Sequence, residues 1–324
     1  MNSLHTFLSE ALEHRLALVR AGYPIRIFDG AGDGLDGLFI DLFDDVLLAH
    51  IHAGSSASLR SESTIVEAIS EIANRLSCKA AFLWLRSEQI GKTLKDGFRT
   101  LLGSADFFIV SDGPLQFYLK PGVTPSGGLF VDTREIRGEL VKAKFKRVIN
   151  LFCFTGTLGI AAALGGAEEV IQVDISKSAL NWAQENWQLN RGSLSTNMRF
   201  IPEDSRKFMA KELRRIERGG SKADLVLIDP PVFGTSEGTP FVLEHEIETL
   251  LLGGLSLLNS GGRMIFTCNL SSMSWEDIRE LVYIVSEEIG ASVRSITRVS
   301  PPQVDFGSPA RLSHALRGVC VDLD

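Results

Sequence analysis

Residues 147–176, RVINLFCFTGTLGIAAALGGAEEVIQVDIS, leave few choices for the fold. Val148, Ile149 and Leu151 form a strand pattern, Thr155, Gly156, Thr157 and Gly159 tighten the chain, and helix formers follow. A second apolar strand, Val170 to Val173, ends at Asp174. Strand, glycine turn, helix, strand and terminal acid make a right-handed βαβ unit. The glycine turn lets a ligand approach the backbone, and the helix N-terminus offers unpaired N–H groups. Asp174 stands 18 positions after Gly156, close to the spacing for an acid that accepts ribose hydroxyls. A hydropathy window over 148–167 also reads as a membrane span, but glycines and threonines where a strand must become a helix favour a buried βα unit.

The 324 residues have room for one large domain and a smaller one. Hydrophobic residues at 44% and charged ones at 23% describe an ordinary soluble globular chain. A net charge of −7 argues against a generally basic, nucleic-acid-coating surface. Cys78, Cys153, Cys268 and Cys320 include no CxxC pair, which suggests neither zinc nor a disulfide framework. A reducing cytoplasm is therefore the expected location. The N-terminus lacks the basic, apolar and cleavage regions of a signal peptide.

Leu4, Phe7, Leu8, Leu12, Leu16 and Val19 recur at helical spacing, an apolar face that packs in cis or forms a homodimer contact. The segment IRIFDGAGDGLDGLFIDLFDDVLLAHIHA reads as two or three strands separated by Gly and Asp turns. Asp29, Asp33 and Asp36 lack the EF-hand spacing and are read as turn chemistry. His50 and His52 alternate on one strand and read as a solvent-facing pair, and no metal site is expected. A helix over 60–76 and a strand over 80–86 complete a small α+β domain spanning 21–112, after an N-terminal helix at 1–20. Residues 113–131 read as a connecting hairpin with a Pro/Gly turn. A helix then opens near Asp132 or Thr133, so Asp132, Arg134 and Arg137 either cap and pair or contact the charged amino-acid end of a cofactor. The large Rossmann-like domain takes 132–324.

Beyond Asp174, a strand ends at Pro202-Glu203-Asp204 and another at Asp229-Pro230-Pro231, whose prolines cannot continue a central ladder. The helix between them carries Lys207, Lys211, Arg214, Arg215 and Arg218, a solvated face or an RNA-backbone stripe. A later strand, GGRMIFTCN, holds Cys268 near its tip. Gly156, Asp174, Asp204, Asp229 and Cys268 thus gather on one edge of one sheet, where ligands bind in open α/β folds.

On these residues the chain resembles the class I S-adenosylmethionine-dependent methyltransferases, and more closely the bacterial 23S ribosomal RNA cytosine-5 methyltransferase family. The resemblance spans roughly 22–324 and is carried by GAGDGLDGLFID at 30–41, GGLFVDTREIR at 127–137, NLFCFTGTLGI at 150–160, VDIS at 173–176, EDSRKF at 203–208, DPPVF at 229–233 and FTCN at 266–269. It implies an α/β fold: a Rossmann-like seven-stranded methyltransferase sheet with a smaller N-terminal α+β domain that helps present RNA. It implies S-adenosyl-L-methionine as cofactor and 23S ribosomal RNA or a ribosomal particle as partner. By the same resemblance Asn150, Phe152, Phe154, Thr155 and Gly156 cradle the methionine part, with Asp132 and Arg134 near its end. Asp174 holds the ribose and Asp204 the adenine amino group. Ile175, Ser205, Asp229 and Pro230 complete the cofactor set, and Pro230, Pro231 and Phe233 meet the substrate. Phe154 replaces the first glycine of the general turn, tolerable for a cofactor without pyrophosphate and unlike a nicotinamide dehydrogenase.

Carbon 5 of a pyrimidine is a poor nucleophile until a thiolate adds to carbon 6, after which a base must remove the carbon 5 proton. Cys268 is the expected nucleophile and Asp229 the partner of the base or of the substrate amino group, while Cys153 is read as packing. Three features depart from the family. Val232 stands where closer relatives carry a lysine, the chain starts almost directly at the α+β unit without the usual small RNA-binding domain, and PPQVDFGSP replaces an Asp-His-Pro stretch, with Asp305 in a related place. Two other readings stay open: methylation of a guanine or adenine nitrogen, with Asp229-Pro230-Pro231 positioning the base, and a non-catalytic RNA-binding or assembly factor.

Overall fold

The structure, a computed structural model, describes residues 4–21, 23–52, 55–57, 61–85, 97–104, 107–236, 239–306 and 316–324. Position 60 of the expected helix, Arg86 of the expected strand, the first three residues and the last three of PPQVDFGSP lie outside the described residues. The chain forms two compact units, Met1–Arg134 with Pro302–Leu312 and Glu135–Pro301 with Ser313–Asp324.

The first unit opens with α1 (Leu4–Ala21), then β1 (Ile25–Asp29), β2 (Leu38–Phe43), β3 (Val46–Ile51), α2 (Glu62–Arg75), β4 (Ala80–Leu85) and β5 (Gly97–Leu102). The five strands lie in sequence order in one sheet, with only β3 and β4 parallel. Alternation sends Leu38, Ile40 and Leu42 to the same core as Leu47, Ala49 and Ile51, where they meet Leu4, Leu8 and Leu12 of α1 and Ile65, Ile69 and Ile72 of α2. The apolar face of α1 therefore packs in cis. His50 and His52 are half-buried, and both rings pack on Phe39, at 5.0 and 5.1 Å between centroids. Asp33 accepts from the Arg15 guanidinium and from the Asp29 N–H, which is turn chemistry joined to an ion pair.

The hairpin sits earlier than the sequence suggests. β6 (Phe108–Asp112) pairs with β7 (Leu115–Leu119) around Gly113, whose φ of 59° suits a two-residue turn. Residues 121–128 form only turns. Asp305 belongs to this unit and is fully buried. It accepts two bonds from Arg134, at 2.8 and 2.9 Å, and one from the Arg26 N–H at 3.0 Å, while its carbonyl takes two from Arg15.

The second unit begins within α3 (Arg134–Leu140), whose first residue still belongs to the first unit, and runs through β8 (Arg147–Leu151), α4 (Thr157–Leu164), β9 (Glu169–Asp174), α5 (Lys177–Asn190), β10 (Asn197–Pro202), α6 (Ser205–Glu217) and β11 (Ala223–Ile228). It continues with β12 (Phe233–Ser236), β13 (Thr239–Val242), α7 (Leu243–Ser256), β14 (Leu258–Cys268), α8 (Trp275–Glu288), β15 (Val293–Val299) and β16 (Arg317–Leu323). Seven strands form a sheet ordered β10-β9-β8-β11-β14-β16-β15, in which only β16 runs against its neighbours. The fold is mixed α/β, with the seven-stranded sheet that the resemblance implies. The chain reverses its direction of growth between β8 and β11, the switch point where a crevice opens at the carboxyl ends of strands. Ile149, Leu151, Ile171, Val173, Val226 and Ile228 share a core with Met209, Leu250, Leu251, Ile278 and Val282 of α6, α7 and α8. The small β12–β13 hairpin directly after Pro231 is an addition that the sequence reading lacks. Among the described residues, no helix is long and apolar enough to cross a membrane.

Candidate active site

Register fixes the site edge. Pro202 lies beside Asp174, Val173 beside Leu151, Leu151 beside Ile228, and Ile228 beside Phe266. The residues that follow these positions, Phe152 to Gly156, Asp204, Asp229 and Cys268, therefore emerge along one carboxyl edge with Asp174.

The turn after β8 has an unusual backbone. Phe152, Phe154 and Gly156 all take positive φ, at 55°, 49° and 78°. For the two phenylalanines this is strained and persists only where surrounding bonds over-determine it. Those bonds are present. The Phe152 N–H donates to Ser205 Oγ at 3.0 Å, Cys153 N–H to the Val173 carbonyl at 2.9 Å and Phe154 N–H to Asp174 Oδ2 at 2.8 Å. Behind the turn, Asn150 Nδ2 donates to Gln172 Oε1, Gln172 Nε2 donates to the Gly156 carbonyl and Asn186 Nδ2 to that of buried Thr155. Asn150 thus acts from behind the turn. A Cβ at Gly159 would lie 2.5 Å from the Gln172 amide, so this glycine gives the network its room.

Each Asp174 oxygen accepts one backbone N–H, Oδ2 from Phe154 and Oδ1 from Ser176, both at 2.8 Å. A carboxylate oxygen has a second acceptor direction, so two hydroxyls of a ribose have a lone pair each to meet. Burial raises the Asp174 carboxyl above its ordinary range, opposed by the Ser176 and Phe154 N–H groups. Ile175, 46% exposed, sets an apolar side chain at the rim.

Asp204 caps α6 and takes three donors from Arg206, the N–H at 2.8 Å and the guanidinium at 3.1 and 2.8 Å. Arg206 also reaches Glu246 and lies over the Phe241 ring. Capping and ion pairing are thus built into this acid beside the adenine role that resemblance implies.

At the other side of the crevice, the buried Thr267 hydroxyl donates to Asp229 Oδ1 at 2.7 Å. Cys268 follows, fully buried. Burial pushes its thiol up, the Leu270 N–H pulls it down, Asp229 adds to the rise and Arg317 opposes it. Pro230 is buried, Pro231 exposed, and Phe233 on β12 is 72% exposed. Cys153 is buried with its thiol held well above the ordinary range by burial and by Asp174, which fits packing.

Asp132 and Arg134 lie in the first unit. Arg134 is occupied by Asp305 and by the Pro24 carbonyl at 2.6 Å, an ion-pairing duty in place of a free guanidinium. Arg137 is fully buried in α3. Gln172, Asn186 and Thr267 are the site residues that motif reading passes over. Their signal is a polar side chain amid apolar neighbours, such as the glutamine inside EVIQVD. No group of three or more His, Cys, Asp or Glu among the described residues is arranged to hold a metal ion.

Residues 101–304 match a family model described as S-adenosylmethionine-dependent methyltransferase. The chain belongs to this family. Its cofactor is S-adenosylmethionine, and the two open acceptor directions on Asp174 beside a locked turn suit a ribose with an attached methionine. Among curated relatives, a ribosomal RNA large subunit methyltransferase K/L from Chromohalobacter salexigens is 37% identical over 169 residues, 51% of this chain and 22% of the relative. A ribosomal RNA large subunit methyltransferase I from Aeromonas hydrophila is 28% identical over 275 residues, 81% of this chain and 66% of the relative. The chain thus spans only about a fifth of the first relative's length and 66% of the second's. Of solved structures, one described as a methyltransferase complexed with SAH superposes with a TM-score of 0.81 at 20% identity, covering 98% of this chain and 80% of the other. A tRNA m1G37 methyltransferase from M. jannaschii superposes at 0.58 with 13% identity, covering 88% and 74%. At these identities the likeness shows the fold alone.

Proposed function

We propose that this methyltransferase acts on large-subunit ribosomal RNA, at carbon 5 of a cytidine in 23S RNA, through a covalent adduct with Cys268. The observation that carries the reading is the Thr267-Cys268 tip of β14, where the hydroxyl of one residue grips Asp229 and the sulfur of the next lies at the same carboxyl edge as the cofactor turn. The names of the K/L and I relatives support ribosomal RNA as substrate.

S-adenosylmethionine supplies an electrophilic methyl group on a sulfonium. Ser205, Asp174, Gln172 and Asn186 hold the turn that receives it, through the N–H groups and carbonyls described above. Cys268, as thiolate, adds to carbon 6 of the cytosine and makes carbon 5 nucleophilic. Asp229, fixed by Thr267, holds the substrate amino group or serves the base that removes the carbon 5 proton, after which the sulfur leaves. Exposed Pro231 and Phe233 offer an apolar surface on which an unstacked base can lie. The first unit helps present the RNA in the cytoplasm.

A second reading has its own observation. Cys268 is fully buried and its thiol is raised, as in an inert core cysteine, while Asp229-Pro230-Pro231 stands ready for an exocyclic or ring nitrogen of guanine or adenine. Cys268→Ala separates the two. Loss of methyl transfer with cofactor binding intact supports the carbon adduct, and retained transfer supports nitrogen.

A further inference from the structure

Cys268 is the last residue of β14, and its direct partner on the antiparallel strand β16 is Arg317. Directly opposed residues in an antiparallel pair place their Cβ atoms roughly 5 Å apart on the same face of the sheet. The Arg317 guanidinium is turned toward the chain just past the cysteine, with Nη1 3.4 Å from the Leu270 carbonyl. The next pair in register is Thr267 with Gly318, and a Cβ at Gly318 would fall 2.2 Å from the Phe266 carbonyl and 3.0 Å from Thr267 Cγ2. Glycine at 318 therefore lets β16 lie close against the strand that bears the sulfur. On the same side of the crevice, at the end of neighbouring β11, stands the opposing charge, Asp229, tied to Thr267.

We propose that Arg317 is a positioning residue for the reaction, the fixed cation that lets the buried Cys268 sulfur hold a negative charge beside Asp229. The inference rests on the carbon-adduct reading above. In the step concerned, the S–H bond of Cys268 breaks, its electron pair stays on sulfur and the proton passes to solvent, so no oxidant or further reactant is needed. Without Arg317 the sulfur would face burial and Asp229 with the Leu270 N–H left, among the described residues, to favour its charge. A nearby opposite charge favours the charged form of a thiol and lowers its pKa. Lysine keeps the charge on a shorter, unforked side chain and should act in part.

The test is a thiolate titration read by absorbance near 240 nm on the whole chain, in the presence and absence of Cys268→Ser, so that the difference reports this sulfur alone. The variants are Arg317→Gln and Arg317→Lys. Arg317→Gln is expected to move the Cys268 transition to higher pH, with Arg317→Lys restoring at least part of the shift. S-adenosylmethionine binding, which a folded second unit retains, is measured on each variant to confirm the fold. An unmoved transition in Arg317→Gln overturns the proposal. An equal upward shift in Arg317→Lys does so too, because it assigns the effect to lost packing. Methyl transfer by Cys268→Ala is scored separately. If that variant still methylates RNA, the carbon-adduct reading fails, while the titration still reports whether Arg317 governs the sulfur.

Discussion

The backbone N–H of Phe154 donates to Oδ2 of Asp174 at 2.8 Å, so the cofactor turn and the acid at the tip of the next strand are one hydrogen-bonded unit. The bond has two effects. It holds Phe154 in a left-handed conformation that its side chain disfavours, and it fixes the carboxylate that we propose meets the ribose.

Asp174→Ala should remove both effects. Hydrogen bonds to a charged group contribute about 1.5–3 kcal/mol, which corresponds to roughly ten- to hundredfold in affinity. S-adenosylmethionine titration calorimetry should show a loss of that size, and Asp174→Asn a smaller one. Unchanged affinity in the alanine variant would remove Asp174 from the cofactor site.

Gly159→Ala should act through Gln172. The new methyl would lie 2.5 Å from the glutamine amide, which must move and release the Gly156 carbonyl. Overpacking of this kind costs about 1–3 kcal/mol. Denaturant unfolding should report that loss, and cofactor affinity should fall with it because the turn loses its support.

Asp305→Ala should destabilise the first unit. It would leave the Arg134 guanidinium without its bidentate partner in a buried setting. Breaking a buried ion pair from one side costs about 3–5 kcal/mol. A lowered first thermal transition with cofactor binding retained is the expected outcome, read by calorimetry.

The pH dependence follows from the Cys268 thiol. Burial raises its pKa in the folded state, so the folded chain holds this proton to higher pH than the unfolded chain does. Its contribution to stability is therefore complete below the unfolded thiol pKa and lost as pH rises through the folded value. The carbon adduct needs the thiolate, so kcat/KM for RNA should climb through the alkaline range while stability declines. A pH–rate profile that is flat there, with methyl transfer intact, would remove thiolate chemistry.

Much of this site was legible because a parallel sheet delivers every strand to the same edge. Once the βαβ unit was recognised, Asp174, Asp204, Asp229 and Cys268 had to emerge together, and register places them so. What stayed hidden depends on contacts distant in sequence. Nothing local in PPQVDFGSP shows that Asp305 receives Arg134, 171 positions away. The same holds for Thr267 and Asp229, which meet only because β14 is laid beside β11. The hairpin was misplaced because Pro121 and Gly122 look like a turn between strands, whereas the strand before Gly113 supplies the pairing for Leu115–Leu119. Gln172 and Asn186 could have been singled out, since an amide buried in an apolar element must find partners.

The most direct test of the central claim is mass analysis of nucleosides from ribosomal RNA of cells that lack this protein, after complementation with the wild type or with Cys268→Ala. The account predicts that 5-methylcytidine is lost on deletion, returns with the wild type and does not return with Cys268→Ala. Recovery of 5-methylcytidine with the alanine variant would contradict it, as would loss of a methylated purine in its place.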